Sequence, residues 1–123
     1  MILADTSIWV DHLHGSNPQM EDLLNRGKIA MHPFVVGEIA LGSLRNRRQK
    51  LGAMDSLRKV KVAQMSEVRR MIEAHTLYAK GIGLTDAHIV DSCLLTPGTQ
   101  LWTRDAAMKA IAISIGVPVY IAK

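Results

Sequence analysis

Short apolar runs recur along this chain, separated by stretches whose apolar residues return at helical spacing. MILA opens it, KIAM follows near residue 30, VKVA near 62, QLW near 101, and PVYIA comes last. Each run is too short for a helix and is bounded by turn or helix signals, so each predicts a strand. Asn17 and Pro18 read as N-cap and first residue of a helix that Gly27 closes, and Ser66 reads as the cap of a longer helix ending near Gly81 and Gly83. In that longer helix Val68, Met71, Ile72, His75, Tyr78 and Ala79 share one face, which makes His75 a packed side chain. Strand and helix in alternation predict a parallel sheet covered on both faces, because parallel strands need crossover connections and those are usually helices. No repeat, low-complexity linker or compositional break marks a second unit, so residues 1–123 are expected to form one domain.

A chain of 123 residues can bury a core without disulfide or metal staples. Its one cysteine, Cys93, lies in an apolar helical stretch and is expected to be a packed small hydrophobe in a reducing compartment. No apolar run approaches the roughly 18 residues of a membrane span and no basic leader opens the chain, so a cytoplasmic protein with no membrane role is expected. Fifteen Lys and Arg against 11 Asp and Glu leave a net charge of +4, which favours a polyanionic partner such as nucleic acid. The densest basic stretch, LRNRRQK at 44–50, makes Arg45, Arg47 and Arg48 candidates for tracking a phosphate backbone. Five aromatic residues argue against a base-stacking platform.

The acids change the picture most. Asp5 ends the first predicted strand and Asp105 follows the fourth, and in open α/β sheets ligands bind outside the carboxyl ends of strands. If strands one and four are neighbours, the two aspartates converge. Either could also simply cap the helix that follows it. Glu38 sits in HPFVVGEIALGSL, a helix apolar nearly all round and therefore expected to be buried, where a lone carboxylate must raise its pKa or meet a cation. Asp86 opens another apolar helix, in GIGLTDAHIVDSCLL. Four carboxylates at strand ends and on buried faces of a basic protein fit a hard-cation site for Mg²⁺ or Mn²⁺, whereas zinc would call for His and Cys at ligand spacing. Setting those four acids aside leaves 15 cations against 7 acids, or +8 on the remaining protein. Thr6 or Ser7 would stand beside Asp5 to hold a bound water or a phosphate oxygen. Asp91 lies roughly 140° around its helix from Asp86, so the two cannot both ligate one ion. Asp86 shares its side with Ile89, Val90 and Cys93 and is expected to approach Asp5, with Asp91 at the edge of the apolar stripe toward Leu95.

Four stretches taken in order, DTSIWVDHL, PFVVGEIALGSL, GIGLTDAHIVDSCLLTPG and LWTRDAAM, resemble the PIN-domain ribonuclease toxins of prokaryotic toxin–antitoxin modules, the VapC type. The likeness spans nearly the whole chain. It implies a three-layer α/β/α PIN domain with a parallel sheet in the order 3-2-1-4-5, which sets strands one and four side by side. It implies that Asp5, Glu38, Asp86 and Asp105 are the catalytic, metal-holding acids, with Thr6 and Thr103 as hydroxyls beside them. The activity implied is that of a Mg²⁺- or Mn²⁺-dependent endoribonuclease, the toxin of a type II module that inhibits translation or growth. Products would carry a 5′ phosphate and a 3′ hydroxyl. The partners implied are RNA, a second copy in a homodimer, and a cognate VapB-type antitoxin through which alone promoter DNA would be bound. Two positions depart from the family: residue 91, usually small, is Asp, and residue 108, often a large aromatic, is Met.

Two other functions compete. A phosphatase of the haloacid dehalogenase type would also begin with Asp at a strand end, but it needs a second Asp two residues on, where this chain has Ser7. A PIN-like module that binds RNA or a partner without cutting is the non-enzymatic alternative, and an intact acidic quartet counts against it.

Overall fold

In the computed structural model, which describes residues 1–123, four parallel strands form one sheet in the order β3-β2-β1-β4. The strands are β1 (Ile2–Ala4), β2 (Ile29–Met31), β3 (Arg58–Lys59) and β4 (Gln100–Trp102). β1 lies in the middle, paired with β2 through Ile2 and Ile29 and with β4 through Ile2 and Gln100, Leu3 and Leu101, and Ala4 and Trp102. Both β1 and β2 are buried at every position, as strands covered on both faces are. The cover comes from α1 (Thr6–Gly15), α2 (Pro18–Asn25), α3 (Pro33–Ala40), α4 (Arg47–Asp55), α5 (Met65–Ala74), α6 (Leu84–Leu95) and α7 (Ala106–Ser114). None of these helices is long and apolar enough to cross a membrane. One contiguous cluster of buried apolar side chains runs from Ile2 to Val117. Leu3, Ile8, Met31, Leu101 and Met108 are fully buried at its centre, each contributing about 1.5–3 kcal/mol.

The α/β class and the strand order agree with the alternation in the sequence, but the sheet has four strands, not five. PVYIA contributes a single parallel bridge between Val119 and Leu101, flanked by hydrogen bonds from the Leu101 amide to the Pro118 carbonyl and from the Tyr120 amide to the Leu101 carbonyl, both 2.8 Å. Pro118 has no N–H with which to extend that ladder. The third strand falls on Arg58–Lys59 and not on VKVA, whose Val60 and Ala63 are buried as the chain leaves the sheet while Val62 stays exposed.

Two helices also differ from expectation. α2 begins as predicted, with the Asn17 side chain accepting from the Met20 amide, and Gly27 follows its end at a φ of +65°. α5 is capped by Gln64, not Ser66, and Glu67 Oε1 accepts from the Gln64 amide at 3.1 Å. It stops at Ala74, short of the predicted end near Gly81, and Thr76 and Ala79 then take left-handed φ values of 54° and 60°. His75 and Tyr78 are therefore exposed, and Leu77 takes the buried place instead.

Candidate active site

Asp5 is the first residue past β1 and Thr103 the first past β4, so the parallel register that pairs Ala4 with Trp102 sets them opposite each other. The Asp5 amide donates to the Trp102 carbonyl at 3.0 Å, which carries the pairing one step past the strands. The buried Asp5 carboxylate is held on both oxygens. Oδ1 accepts from Ser7 Oγ at 2.7 Å and from the Ile8 amide at 3.2 Å, the N-cap bond of α1, and Oδ2 accepts from Thr103 Oγ1. Thr103 in turn accepts from the Asp105 amide at 3.0 Å, and Asp105 Oδ1 caps α7 by accepting from the Met108 amide at 2.9 Å. Capping and site-building, which the sequence offered as alternatives, are the same geometry here. One hydroxyl, that of the buried Thr103, brackets two acids.

Glu38 arrives from α3, and Thr6 Oγ1 on α1 donates to its Oε1 at 2.8 Å. The expectation of a buried Glu38 is wrong. Its residue is exposed, as are Phe34 on the same helix and Leu41 just beyond it, the last at 90%. Half-buried Asp86 lies in the first turn of α6. Burial pushes its carboxyl above the ordinary value, Asp5, Asp105 and Glu38 add to that push in that order, and the Gly83 amide pulls against it. The four acids thus share one neighbourhood at the carboxyl ends of the strands. Three of them stand at helix N-termini, where the helix dipoles offset part of their mutual repulsion. As a donor set they are all carboxylate oxygen with hydroxyls alongside, the chemistry of a hard divalent cation. No three of the side chains close on one point as a finished cage.

Asp91 faces elsewhere. It is buried, its Oδ2 has no partner, and burial together with the charge of Glu67 on α5 raises its carboxyl while His88 pulls it down. It belongs to a second polar group, which the sequence reading missed. Ala87 through Cys93 are all buried, so the polar residues among them had to lie inside, and that run was the available signal. His88 packs at a tilt of 52° against Phe34 with ring centres 4.6 Å apart and has no hydrogen-bond partner on either ring nitrogen. Ser92 Oγ lies 3.1 Å from His32 Nε2 and accepts from the Ala63 amide at 3.3 Å. Since His32 Nδ1 accepts from the Phe34 amide at 3.0 Å, the proton of the neutral ring sits on Nε2. Burial, with the nearby His88 second, lowers His32 from 6.5 to about 4. The unfolded chain therefore takes up a proton below pH 6.5 that the folded one refuses until about pH 4, so stability is full above pH 6.5 and falls with pH across that window. At about 1.4 kcal/mol per pH unit the loss reaches ~3 kcal/mol. Urea midpoints measured from pH 7 to pH 4 are expected to show it, and His32→Asn, which keeps an N-cap acceptor, is expected to flatten the dependence. Cys93, buried and with its thiol pushed up to about 12, is a packed side chain as expected.

The basic stretch divides. Arg47 is turned onto the end of α3, donating to the carbonyls of Ala40 at 2.5 Å and Gly42 at 3.3 Å, while Arg45 and Arg48 are exposed. On the other side of the acids Arg104 pairs with Asp11 at 3.0 Å, an ion pair with no signal in the sequence. His12 and His14 both lie on α1, the first half-buried and the second exposed.

The model of the PIN domain matches residues 2–114. Two curated relatives, both named Ribonuclease VapC32, come from Mycobacterium tuberculosis strains CDC 1551 / Oshkosh and ATCC 25618 / H37Rv. Each is 37% identical to this chain over 117 residues, which is 95% of this chain and 94% of the relative.

Proposed function

Because the chain belongs to the PIN-domain family and, within it, to the VapC-type ribonucleases, we propose that it is a metal-dependent endoribonuclease and the toxin of a type II toxin–antitoxin module. The observation that carries this reading is the gathering of four acids at the carboxyl end of a parallel sheet, where Thr103 bridges Asp5 and the Asp105 amide, Thr6 holds Glu38, and Asp86, raised first by burial, also feels the other three. Asp5, Glu38, Asp86 and Asp105 would hold the ion. Bound there, Mg²⁺ or Mn²⁺ supplies charge neutralisation for the phosphodiester and a water acidic enough to attack it. The remaining work falls to the protein. Thr103 fixes Asp5 and Asp105 relative to each other, Ser7 and the Ile8 amide hold the other oxygen of Asp5, and Thr6 restrains Glu38 from α1. Ser7 is exposed and Thr6 half-buried, so each also stands within reach of solvent where a phosphate oxygen would lie. Exposed Arg45 and Arg48 would meet the RNA backbone, with Arg47 shaping their segment.

Partners follow from the uncovered apolar surface. A cleft of about 230 Å³ between α1 and α3 is lined by Val10, Leu13, Glu38, Ile39 and Leu44, and the exposed Leu41 lies just past α3. A VapB-type antitoxin covering this face would reach Glu38 and would be the route to promoter DNA, and a homodimer is the expected form of the toxin.

Incubating the purified protein with cellular RNA in Mn²⁺ or Mg²⁺, and in excess EDTA, tests the activity, with growth arrest on induction as the cellular readout. The ion should also stabilise the fold by mass action. A hundredfold excess over Kd adds about 2.7 kcal/mol, a rise in Tm on the order of 10 °C for a chain of this size. Cleavage that persists in EDTA, or a Tm indifferent to both ions, would overturn the reading. A protein that binds Mn²⁺ and RNA but leaves the RNA whole would be a binding module.

A further inference from the structure

The acids do not end the polar surface on the β4 side. Beyond Thr103 opens a cleft of about 610 Å³, within the roughly 300–1,000 Å³ range of small-molecule sites, bounded by the start of α2, the end of β4, α7 and the last residues of the chain. Three cationic side chains line it, Arg104, Lys109 and Lys123, and no carboxylate side chain does. Its charge is thus opposite to that of the centre it adjoins, and Thr103 is a wall of both. One face is aromatic. Tyr120 packs edge-on against Trp102 with ring centres 5.1 Å apart, and its hydroxyl accepts from Gln19 Nε2 at 2.6 Å, so the ring is fixed before anything binds. Arg104 is fixed as well, by one bond from Nη2 to Asp11, which leaves most of its five donors free.

A scissile phosphodiester at the acids has neighbours along the strand, one nucleotide away on each side. Those neighbours carry phosphate charge that the acids repel, so a strand lying across the site needs cations immediately beside it. We propose that this cleft holds the nucleotide adjacent to the scissile phosphate, with Lys109 and Arg104 on its phosphate and the Tyr120 ring against its base. The proposal rests on the ribonuclease reading above. A single fixed tyrosine is no stacking platform, but it suffices for one base, and it selects for an unpaired strand, since a base within a duplex has no free face to offer.

The test uses a 5′-fluorescein RNA of mixed sequence for KM and for anisotropy in the Asp5→Asn background, and bis(p-nitrophenyl) phosphate as a phosphodiester without a neighbouring nucleotide. Lys109→Ala and Tyr120→Ala are each expected to raise the RNA KM about fivefold or more. Lys109→Ala is expected to flatten the slope of log K against log salt by about 0.7, the loss of one single-strand phosphate contact. Hydrolysis of the small diester should not change in either variant. Tyr120→Phe keeps the ring and its packing on Trp102 but loses the Gln19 bond, and should keep most of the affinity, while Lys109, half-exposed on α7, tolerates Ala without threat to the fold. A wild-type protein that hydrolyses neither substrate overturns the ribonuclease reading itself. If wild type cleaves RNA and both variants match it in KM and salt slope, the cleft is not part of the strand's path. Equal weakening toward polyglutamate would mark a general anion patch and would overturn the nucleotide assignment.

Discussion

Asp5→Asn is expected to leave a folded protein that cleaves RNA at least about a hundredfold more slowly than wild type. The choice of Asn follows from the three bonds on this side chain. Its remaining oxygen can still accept from Ser7 and the Ile8 amide, and Asn is as good an N-cap as Asp. The Thr103 hydroxyl, now facing an amide N–H, can accept instead of donating. The fold therefore keeps its contacts while the centre loses one of its four negative charges. Asp5→Ala would confound the two effects, since loss of the cap alone costs about 0.5–2 kcal/mol. Circular dichroism and urea midpoints establish the fold, and single-turnover cleavage in Mn²⁺ measures the rate. Undiminished cleavage by the folded variant would remove Asp5 from the chemistry.

The second large effect separates two acids of one helix. Asp86→Ala should abolish detectable cleavage, and Asp91→Ala should retain most of it. Asp86 feels Asp5, Asp105 and Glu38, whereas Asp91 feels Glu67 and His88 and sits in the buried group between α5, α6 and the start of α3. An unpartnered carboxyl oxygen buried there adds nothing to the fold that Ala would forfeit except volume, so Asp91→Asn, which keeps the volume, should be at least as active as Asp91→Ala. Single-turnover cleavage of both Ala variants across a Mn²⁺ titration decides the matter. An inactive Asp91→Ala beside an active Asp86→Ala would reverse the assignment of this helix.

Much of this arrangement was legible in the sequence because Asp5 and Asp105 answer two demands at once. A residue that follows a strand and caps a helix must lie at the carboxyl edge of the sheet, so local rules for helix starts located half of the acid centre. Glu38 lies beside the other acids, but it is exposed where the sequence predicts burial. The all-round apolar character of its helix predicts enclosure, but Phe34 and Leu41 are left uncovered. Burial depends on what packs against a helix, and periodicity cannot supply that. The end of α5 was misplaced for a related reason. Thr76 and Ala79 adopt left-handed backbone without glycine, so the chain turns where no turn residue announces it. The Thr103 bracket and the Asp11–Arg104 pair each join residues more than 90 positions apart, which the register of β1 against β4 brings together, and the cationic cleft needs the start of α2 set against the end of β4 and the chain's last residues.

That register also sets when the acid centre can exist. A chain emerging in order of synthesis can fold β1 against β2 early, but until β4 is made Asp5 has no Thr103 and the sheet has no Asp105. Residues 1–99 contain three of the four acids and none of the bracket that aligns them. For a protein whose proposed activity destroys RNA, the consequence is temporal: a partly made chain on its own messenger carries no assembled cutting site, and competence arrives only after the residues through Asp105 have emerged and paired with β1.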